Sequence, residues 1–211
     1  MGAYFGPSMK HHALHPILAL LLAAAMLPAG ACSVTREPLA LDETLRPEDV
    51  DEIVILPVID ARPSQLDQVQ IARNVGDATV RMLRERGYFV LEAEAFRQRP
   101  TGPLDLHVAD AARLSPLAPE DSKFFLVVQV QRLDRQMAEA GETYDAQLAA
   151  VLVDRVNGRV VWRDVATASS TLSGVLSVFS RGSRQYEAAV NATRALVDTL
   201  PKKVAGEHTR S

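Results

Sequence analysis

The feature that most constrains this chain is an apolar run near its start, which is followed by its only cysteine. Residues Ile17 to Leu27 read ILALLLAAAML, and a short basic stretch, KHH, precedes them. A helix needs about 20 apolar residues to cross a bilayer, so this run is too short. Its length is typical of the core of an export signal, and the small residues of LPAGAC end it as a processing site does. We therefore expect residues 1–31 to be a signal peptide, with Met9 as an alternative start.

The residues AGAC, which end at Cys32, resemble the lipobox of bacterial lipoproteins. In that class the signal is cut before the cysteine, here between Ala31 and Cys32, and the cysteine then carries covalent lipid such as palmitate. Two or more acyl chains anchor a protein stably. Ser33 stands where an aspartate would favour the inner membrane, so the resemblance implies the periplasmic face of the outer membrane. The alternative is an ordinary signal peptide with an incidental cysteine.

Composition limits what the rest of the chain can be. Lys10 is the only charged residue among the first 31, so the chain from Cys32 onward holds 22 basic and 26 acidic residues. This mild acidity gives no basic footprint for nucleic acid. Residues 32–50 are polar with two prolines, and we expect a lipidated cysteine followed by a flexible tether. Residues 51–201 are long enough for one domain, and residues 202–211 are expected to be a disordered tail.

The first half of the domain reads as a βαβ unit. DEIVILPV, residues 51–58, is a short β-branched run that predicts a buried strand. Residues 68–86 repeat apolar side chains at helical spacing, and Gly87 is placed to end the helix; the apolar positions are Ile71, Val75, Ala78, Met82 and Leu83. YFVL, residues 88–91, predicts the next strand. Short connections around one helix favour two parallel strands.

The second half reads as an antiparallel meander closed by a helix. Residues 104–116 have weak helical character, while 123–134, 142–154 and 159–171 predict strands. Asn157-Gly158 is a strong hairpin signal, and we expect Asp154, Asn157, Gly158 and Trp162 to build a structural hairpin. Residues 185–200 predict a helix stopped by Pro201. The order β-α-β-α-β-β-β-α predicts one α/β (α+β) domain, with helices packed on a mixed sheet of about five strands.

A search for catalytic chemistry leaves one weak candidate. His107 is the only histidine within the predicted domain, with Asp105 and Asp110 as potential orienting acids, but no G-x-S-x-G motif exists. A hydrolase that uses His107 is therefore the least favoured alternative. Asp145, Asp154 and Asp164 fall on neighbouring predicted strands without metal-ligand spacing, so we expect solvated or turn-capping aspartates. Phosphate-binding loops are absent. We expect no enzyme activity, no metal and no cofactor apart from the lipid on Cys32.

One apolar stretch stands out before the last helix. The sequence STLSGVLSVFSRGS places five apolar side chains among serines and glycines, namely Leu172, Val175, Leu176, Val178 and Phe179. One interpretation is that the segment packs on the core or begins the last helix early. The other is an exposed interaction patch for a partner, the membrane surface or a second copy of the chain. Self-association through this patch and the sheet edges would give a homo-oligomer.

Several motifs fall in the same order as in a known family. IVILPVIDARP (53–63), GYFVLEAEAF (87–96), LDLH (104–107) and LVDRVNGRVVWRDVATASS (152–170) resemble a family of bacterial outer-membrane lipoproteins of unknown function that includes a neisserial surface-antigen candidate. More distantly, the pattern is similar to the curli secretion lipoprotein, the lipoprotein activators of penicillin-binding proteins and the amino-terminal domain of TolB. The chain lacks the additional hairpins of the curli protein. The resemblance implies no catalytic residue.

Taken together, these observations predict a non-catalytic lipoprotein that acts as an adaptor or accessory subunit in envelope assembly or secretion. Its partners would be the membrane, through the lipid anchor, and an envelope protein that the sequence does not identify. The alternative is an activator of a cell-wall synthase. A tether of about 18 residues reaches at most roughly 60 Å, which is short for crossing the periplasm to an inner-membrane enzyme.

Overall fold

A computed structural model describes residues 37–63, 67–100, 103–138, 141–170 and 181–203 of the chain. These residues form a single mixed sheet with helices on it, which confirms the predicted α/β class. The strands are β1 Ala40–Leu41, β2 Glu52–Ile55, β3 Ile59–Asp60, β4 Phe89–Glu92, β5 Phe124–Ala138, β6 Gly141–Asp154 and β7 Arg159–Ser169. The helices are α1 Gln68–Glu85, α2 Ala111–Leu114 and α3 Arg181–Val197, with 3-10 turns at Pro47–Asp49 and Ser115–Leu117.

The long strands β5 and β6 lie in the middle of the sheet. The order is β1-β7-β6-β5-β2-β4, and β3 pairs with β5 farther along its length. β6 runs antiparallel to both β5 and β7, whereas β2 is parallel to both β5 and β4. The parallel β2–α1–β4 unit confirms the βαβ prediction, and the antiparallel pairs confirm the meander.

Both faces of the sheet are covered. α1 and α3 pack on one face, against side chains such as Phe124 and Leu126, and the segment around α2 covers the other face through residues such as Leu106 and Leu114. A strand that is buried on both sides needs apolar residues at consecutive positions. This explains why β5 begins with the unbroken run FFLVV instead of alternating.

Helix α1 follows the predicted apolar stripe. The five apolar residues that the spacing assigned to the core are all buried, and the charged residues between them are exposed. Gly87 has a φ of 89°, the left-handed conformation that ends a helix most readily with glycine. Gly76 sits where α1 approaches the chain after β2, because a Cβ there would lie 3.6 Å from Val58 Cγ2.

The prediction of about five strands is wrong, since the sheet has seven. The two missed strands, β1 and β3, have only two residues each. Two residues cannot show an alternating pattern, and each strand exists only because its backbone pairs with a long neighbour. β3 places Ile59 and Asp60 opposite Gln129 and Val130 of β5. β5 itself extends to Ala138, beyond the predicted end, since its polar second half pairs with β6.

The chain joins the domain earlier than the sequence predicts. A flexible tether was expected to residue 50, but Ala40 and Leu41 pair with Arg163 and Trp162 of β7. Asp42 N–H donates to the Val161 carbonyl at 2.9 Å, and Val50 is fully buried. The polar composition of this segment hid its pairing, because a strand at a sheet edge can be exposed on both faces.

The β6–β7 hairpin contains a bulge. Val153 lies opposite Val160, but Leu152 lies opposite Trp162, so one additional residue of β7 forms a bulge. Residues 155–158 form the turn, and only Gly158 has a positive φ, of 62°. Two-residue type I′ turns need a positive φ at both central residues, so Asn157-Gly158 does not form one here.

Residues 198–203, the last that the structure describes, are hydrogen-bonded to the α1–β4 turn. Arg86 donates to the carboxylate and carbonyl of Asp198 and to the Leu200 carbonyl, and Tyr88 donates its hydroxyl to the Pro201 carbonyl. Lys203 N–H donates to the Arg86 carbonyl at 3.0 Å. The predicted disordered tail therefore starts after residue 203 at the earliest. α3 begins four residues before the predicted start at 185 and ends three residues before the predicted end at 200. Tyr186, which belongs to its predicted apolar stripe, is exposed.

Alanine substitutions at two glycines should change stability in opposite directions. Gly76→Ala should raise the free energy of unfolding by about 0.5–1 kcal/mol, because alanine favours the helix interior and its Cβ makes an ordinary contact with Val58. Gly87→Ala should lower it by at least about 1 kcal/mol, since the left-handed conformation disfavours a side chain and the Cβ would lie 3.1 Å from the Lys203 carbonyl oxygen. Urea unfolding of both variants measures this, and shifts of the same sign would contradict the packing described.

Tyr88 should make stability fall at high pH. Burial raises the pKa of Tyr88 to about 12 from its usual 10, with a smaller opposing effect of Arg86. A folded-state pKa above the unfolded value means that the folded protein resists losing the proton. Ionisation of Tyr88 therefore does not change the free energy of unfolding below pH 10, and it decreases this free energy as the pH rises from 10 to 12. Urea unfolding across this range should show the decrease in the parent chain, whereas Tyr88→Phe should show a smaller one.

Candidate interaction surfaces

The loop that carries His107 is held by its backbone. The His107 N–H donates to Asp105 Oδ1 at 2.9 Å, and Asp110 Oδ1 accepts the Arg113 N–H at 2.8 Å as the cap of α2. Both flanking aspartates therefore bind backbone groups instead of the imidazole. The ring is exposed, and its Nε2 lies 3.1 Å from Gln131 Nε2. An aspartate that orients a catalytic histidine must accept from the ring, so this geometry does not supply a triad.

Arg163 fastens the same loop to the sheet edge. Its guanidinium donates to the carbonyls of His107 and Ala109. Arg163 is also the residue of β7 that pairs with Ala40 of β1. The loop around Val108 is thus brought to the same edge of the sheet at which the N-terminal segment joins it.

The predicted hairpin residues have structural surroundings. Asp154 is buried and caps the turn, since its Oδ1 accepts the Asn157 N–H at 3.0 Å. Trp162 is buried beneath the end of α3, where its Nε1 lies 3.3 Å from the Thr199 hydroxyl. The same hydroxyl lies 2.8 Å from Asp164 Oδ2. The prediction that Asp164 is solvated or caps a turn is wrong, because Asp164 is buried in this network. The sequence around Asp164 does not indicate its distant partner.

A second buried polar group links β3 to α1. The Arg62 guanidinium grips Asp60 with two hydrogen bonds, Nε to Oδ1 at 2.9 Å and Nη2 to Oδ2 at 2.7 Å, and reaches Asp67 Oδ1 at 3.1 Å. The hydrogen bond with Asp60 raises the pKa of Arg62, against the effect of burial. The pair lies within the IDARP motif, to which the sequence-based predictions assign no site. Asp60 ends β3 and Arg62 lies two residues farther on, so the D-x-R spacing is the signal that could have found the pair.

These polar groups hold the fold together, and Arg62 and Asp67 also line an open cavity of about 380 Å³ next to Tyr144. An open groove of about 490 Å³ runs between α1 and β4, lined by Val80 and by side chains of both charges, such as Arg84 and Glu92. Within the described parts of the chain, no cluster of three or more histidine, cysteine, aspartate or glutamate residues could hold a metal ion. No helix in those parts is long and apolar enough to cross a membrane.

Both outer edges of the sheet carry exposed apolar side chains. At one end, Phe89 and Leu91 of β4 are 60% and 44% exposed; we call this the β4 edge. Its backbone is partly protected, since Arg84 donates to the Val90 carbonyl at 3.3 Å, in the way that charged side chains commonly guard sheet edges. At the other end lie Leu39 and Leu41.

The second edge has apolar side chains on both of its faces. Leu41 lies opposite Trp162, on the face that α3 covers, and Leu39 directly precedes the strand. Ala40 lies on the other face with Arg163, next to the loop of Val108. Leu39 is 58% exposed and Val108 is 71% exposed. We call these four residues, Leu39, Ala40, Leu41 and Val108, the β1 edge.

Some of the predicted site residues lie outside the part of the chain that the structure describes. These are the lipidation and cleavage residues Ala31 and Cys32 and the predicted interaction patch Leu172, Val175, Leu176, Val178 and Phe179. The described residues next to that patch are well anchored. Ser170 is buried, and its N–H donates to the Tyr144 carbonyl at 2.8 Å.

Comparison with known proteins gives structural similarity only. The sequence matches no family model and no curated protein. The fold is similar to the PelC dodecamer from Paraburkholderia phytofirmans, at 16% identity and a TM-score of 0.46, covering 72% of this chain and 89% of that one. It is similar to lipoprotein GNA1162 from Neisseria meningitidis, at 21% identity and a TM-score of 0.43, covering 61% and 89%. It is also similar to protein XCC0632 from Xanthomonas campestris, at 15% and 0.45, covering 77% and 91%.

The solved structures that resemble this chain thus include bacterial lipoproteins. Identities and TM-scores this low transfer no residue role and no assembly from those proteins to this one.

Removing the Thr199 hydroxyl should destabilise the domain without exposing it. Thr199→Val keeps the shape but takes a hydrogen-bond partner from both Trp162 and the buried Asp164. Losing a partner of a buried polar group costs about 1–3 kcal/mol, and we expect a decrease of that size in the free energy of unfolding. Thr199→Ser keeps the hydroxyl and is the matched control. Urea unfolding measures both variants, and a loss in Thr199→Ser alone would show that the methyl group matters instead of the hydroxyl.

Proposed function

We propose that this chain is a non-catalytic lipoprotein, anchored by lipid on Cys32 to the periplasmic face of the outer membrane, where it serves as an adaptor in envelope assembly or secretion. The observation that carries the proposal is the AGAC motif, which ends at Cys32 directly after the apolar run Ile17 to Leu27. A signal of this kind delivers a folded domain to the periplasm and fixes it to a membrane through acyl chains.

The start of the domain supports an adaptor that works close to its membrane. Residue 37 is the first that the structure describes, and the chain is paired in the sheet by Ala40. Cys32 and Glu37 are five residues apart, which spans at most about 18 Å when fully extended. The reach of roughly 60 Å that an 18-residue tether would give is therefore not available. This disfavours an activator that must cross the periplasm to an inner-membrane synthase.

The geometry around His107 favours binding over catalysis. The two acids that could orient the imidazole are both committed to backbone N–H groups. The buried charges of the described residues are likewise used within the fold, as Arg62 and Asp60 show. A domain whose polar side chains hold its own loops is suited to presenting a surface, and its partner would be an envelope protein, a second copy of the chain, or both.

The finer resemblances stay part of this proposal. The curli secretion lipoprotein, the activators of penicillin-binding proteins and the TolB amino-terminal domain are relatives that the motifs suggest. They agree with an accessory role in an envelope complex, and they differ in which complex it would be.

Replacing the anchor cysteine tests this function. In cells, Cys32→Ala should leave the domain folded but move it from the outer-membrane fraction to the soluble periplasmic fraction, because the acyl chains are lost. In-cell cross-linking followed by purification of the tagged chain should recover subunits of one envelope complex with the parent chain, and much less of them with Cys32→Ala. Fractionation and mass spectrometry are the two measurements.

The control is Ser33→Ala, which changes the neighbouring residue and keeps the lipid attachment site. It should behave as the parent chain does in both measurements. An unchanged membrane fraction for Cys32→Ala would contradict the anchor. Recovery of only the chain itself from the anchored form would contradict the adaptor role and leave a self-assembling lipoprotein as the better description.

A further inference from the structure

The sheet edge at which the described part of the chain begins also has apolar side chains on both faces. We infer that the β1 edge, made of Leu39, Ala40, Leu41 and Val108, is the surface that rests on the lipid bilayer to which Cys32 is attached. This inference rests on the proposed function, since it requires the anchor. It adds the orientation of the domain and a second, non-covalent contact with the membrane.

The first argument is the length of chain between the anchor and this edge. Leu39 follows Cys32 by seven residues, so the two are at most about 25 Å apart. The opposite β4 edge is five strand spacings away, because the sheet order runs from β1 through β7, β6, β5 and β2 to β4. At about 4.8 Å per spacing, that adds about 24 Å. The covalent chain therefore limits the distance from the proposed anchor to about 25 Å for the β1 edge, and to about twice that for the β4 edge.

The second argument is the arrangement of the side chains. Leu41 lies on one face of the edge, Val108 lies beyond Ala40 on the other, and Leu39 directly precedes the strand. Two of these side chains are more than half exposed. Apolar side chains on both sides of a projecting strand can enter the headgroup region together, whereas a single apolar face would require the sheet to lie flat.

The third argument concerns how the edge is held. The Arg163 guanidinium binds the carbonyls on both sides of Val108, and Asp42 Oδ1 accepts from the Thr44 N–H at 2.8 Å while its Oδ2 accepts from Arg159 at 3.0 Å. These contacts keep the apolar groups in place before any membrane is present. A preformed surface loses little conformational entropy on binding.

The charges around the edge define the kind of lipid that it suits. Glu37 and Glu43 flank β1 and are exposed, Asp105 and Asp110 flank the Val108 loop, and Arg159 and Arg163 are engaged with protein acceptors. The flanking acids would be repelled by anionic headgroups. The edge therefore fits a zwitterionic surface. Its few apolar groups would not hold a free protein there, and they act because the anchor keeps their local concentration high.

Reporter cysteines in the lipidated, full-length chain test the inference. Cys32 is the only cysteine of the chain, and its sulfur is blocked once it carries lipid, so a second cysteine is the only free thiol. Leu39→Cys and Val108→Cys report on the β1 edge. Phe89→Cys and Val69→Cys are matched controls, because Phe89 and Val69 are 60% and 75% exposed elsewhere. Each variant is labelled with a fluorophore and reconstituted in phosphatidylcholine–phosphatidylethanolamine vesicles that contain spin-labelled lipid.

We expect the spin-labelled lipid to quench the two β1-edge labels several-fold more strongly than the two control labels. Phosphatidylglycerol added to the vesicles should reduce the quenching at the β1 edge and leave the controls unchanged. In a chain labelled at Leu41→Cys, the further pair Leu39→Glu and Val108→Glu should also reduce quenching, while Phe89→Glu and Val69→Glu should not. All four substituted positions are exposed, and circular dichroism checks that the variants fold.

Equal quenching at all four labels, or stronger quenching at Phe89→Cys, would overturn the inference while the anchor stands. Flotation of the same vesicles separates this from failure of the proposed function. If the chain does not float with the vesicles, or floats equally as Cys32→Ala, the anchor is wrong and the orientation that depends on it is wrong too.

Discussion

The pairing of β5 with β6 is the interaction on which the rest of this structure depends. These strands, of 15 and 14 residues, lie side by side from Phe124 opposite Asp154 to Ala138 opposite Gly141. Every other strand reaches the sheet through them: β2 and β3 pair with β5, β7 pairs with β6, and the outer strands follow. Because the pair is buried on both faces over its first half, α1 and α3 on one side and the α2 segment on the other have a common core to cover.

The two ends of the chain depend on this frame in different ways. The last described residues, 198–203, pack against the α1–β4 turn. The Lys203 ammonium also donates to the Val50 carbonyl at 3.0 Å. The N-terminal segment instead pairs with β7 at the far side of the sheet and then returns to β2. Segments that a composition analysis reads as tether and tail are thus part of the folded domain, held by backbone hydrogen bonds that need few apolar side chains of their own.

This arrangement bears on the proposed function through distance. An adaptor on a long flexible tether can search a wide volume, whereas one whose sheet begins eight residues after the proposed anchor is held within tens of ångströms of the membrane. A domain in that position can present its far edge, with Phe89 and Leu91, toward the periplasm. The polar clusters around Arg62, Asp154 and Asp164 stabilise that presentation, since each ties a loop or a strand to a helix or a turn.

The amino-acid sequence alone predicts the secondary-structure elements whose side-chain pattern lies within one segment of the chain. The period of α1, its end at Gly87, the βαβ order, the antiparallel meander and the closing helix all follow from side chains within one segment. A lipobox is likewise a local pattern, and it needs no fold to be seen. Burial of Trp162 is suggested in the same way, because a large aromatic residue in a strand needs cover.

Features that depend on contacts between residues far apart in the chain could be seen only in the tertiary structure. β1 and β3 are too short to have a pattern, and they become strands because β7 and β5 offer free backbone groups. Asp164 is buried because Thr199, 35 residues later, supplies a hydroxyl. The Asp105 and Asp110 carboxylates accept hydrogen bonds from backbone N–H groups and not from the His107 ring. Arg163, which is 54 or more residues away in the chain, holds this loop in place. The predicted tether to residue 50 is too long for the same reason: the backbone pairing of Ala40 and Leu41 with β7 leaves no mark in composition.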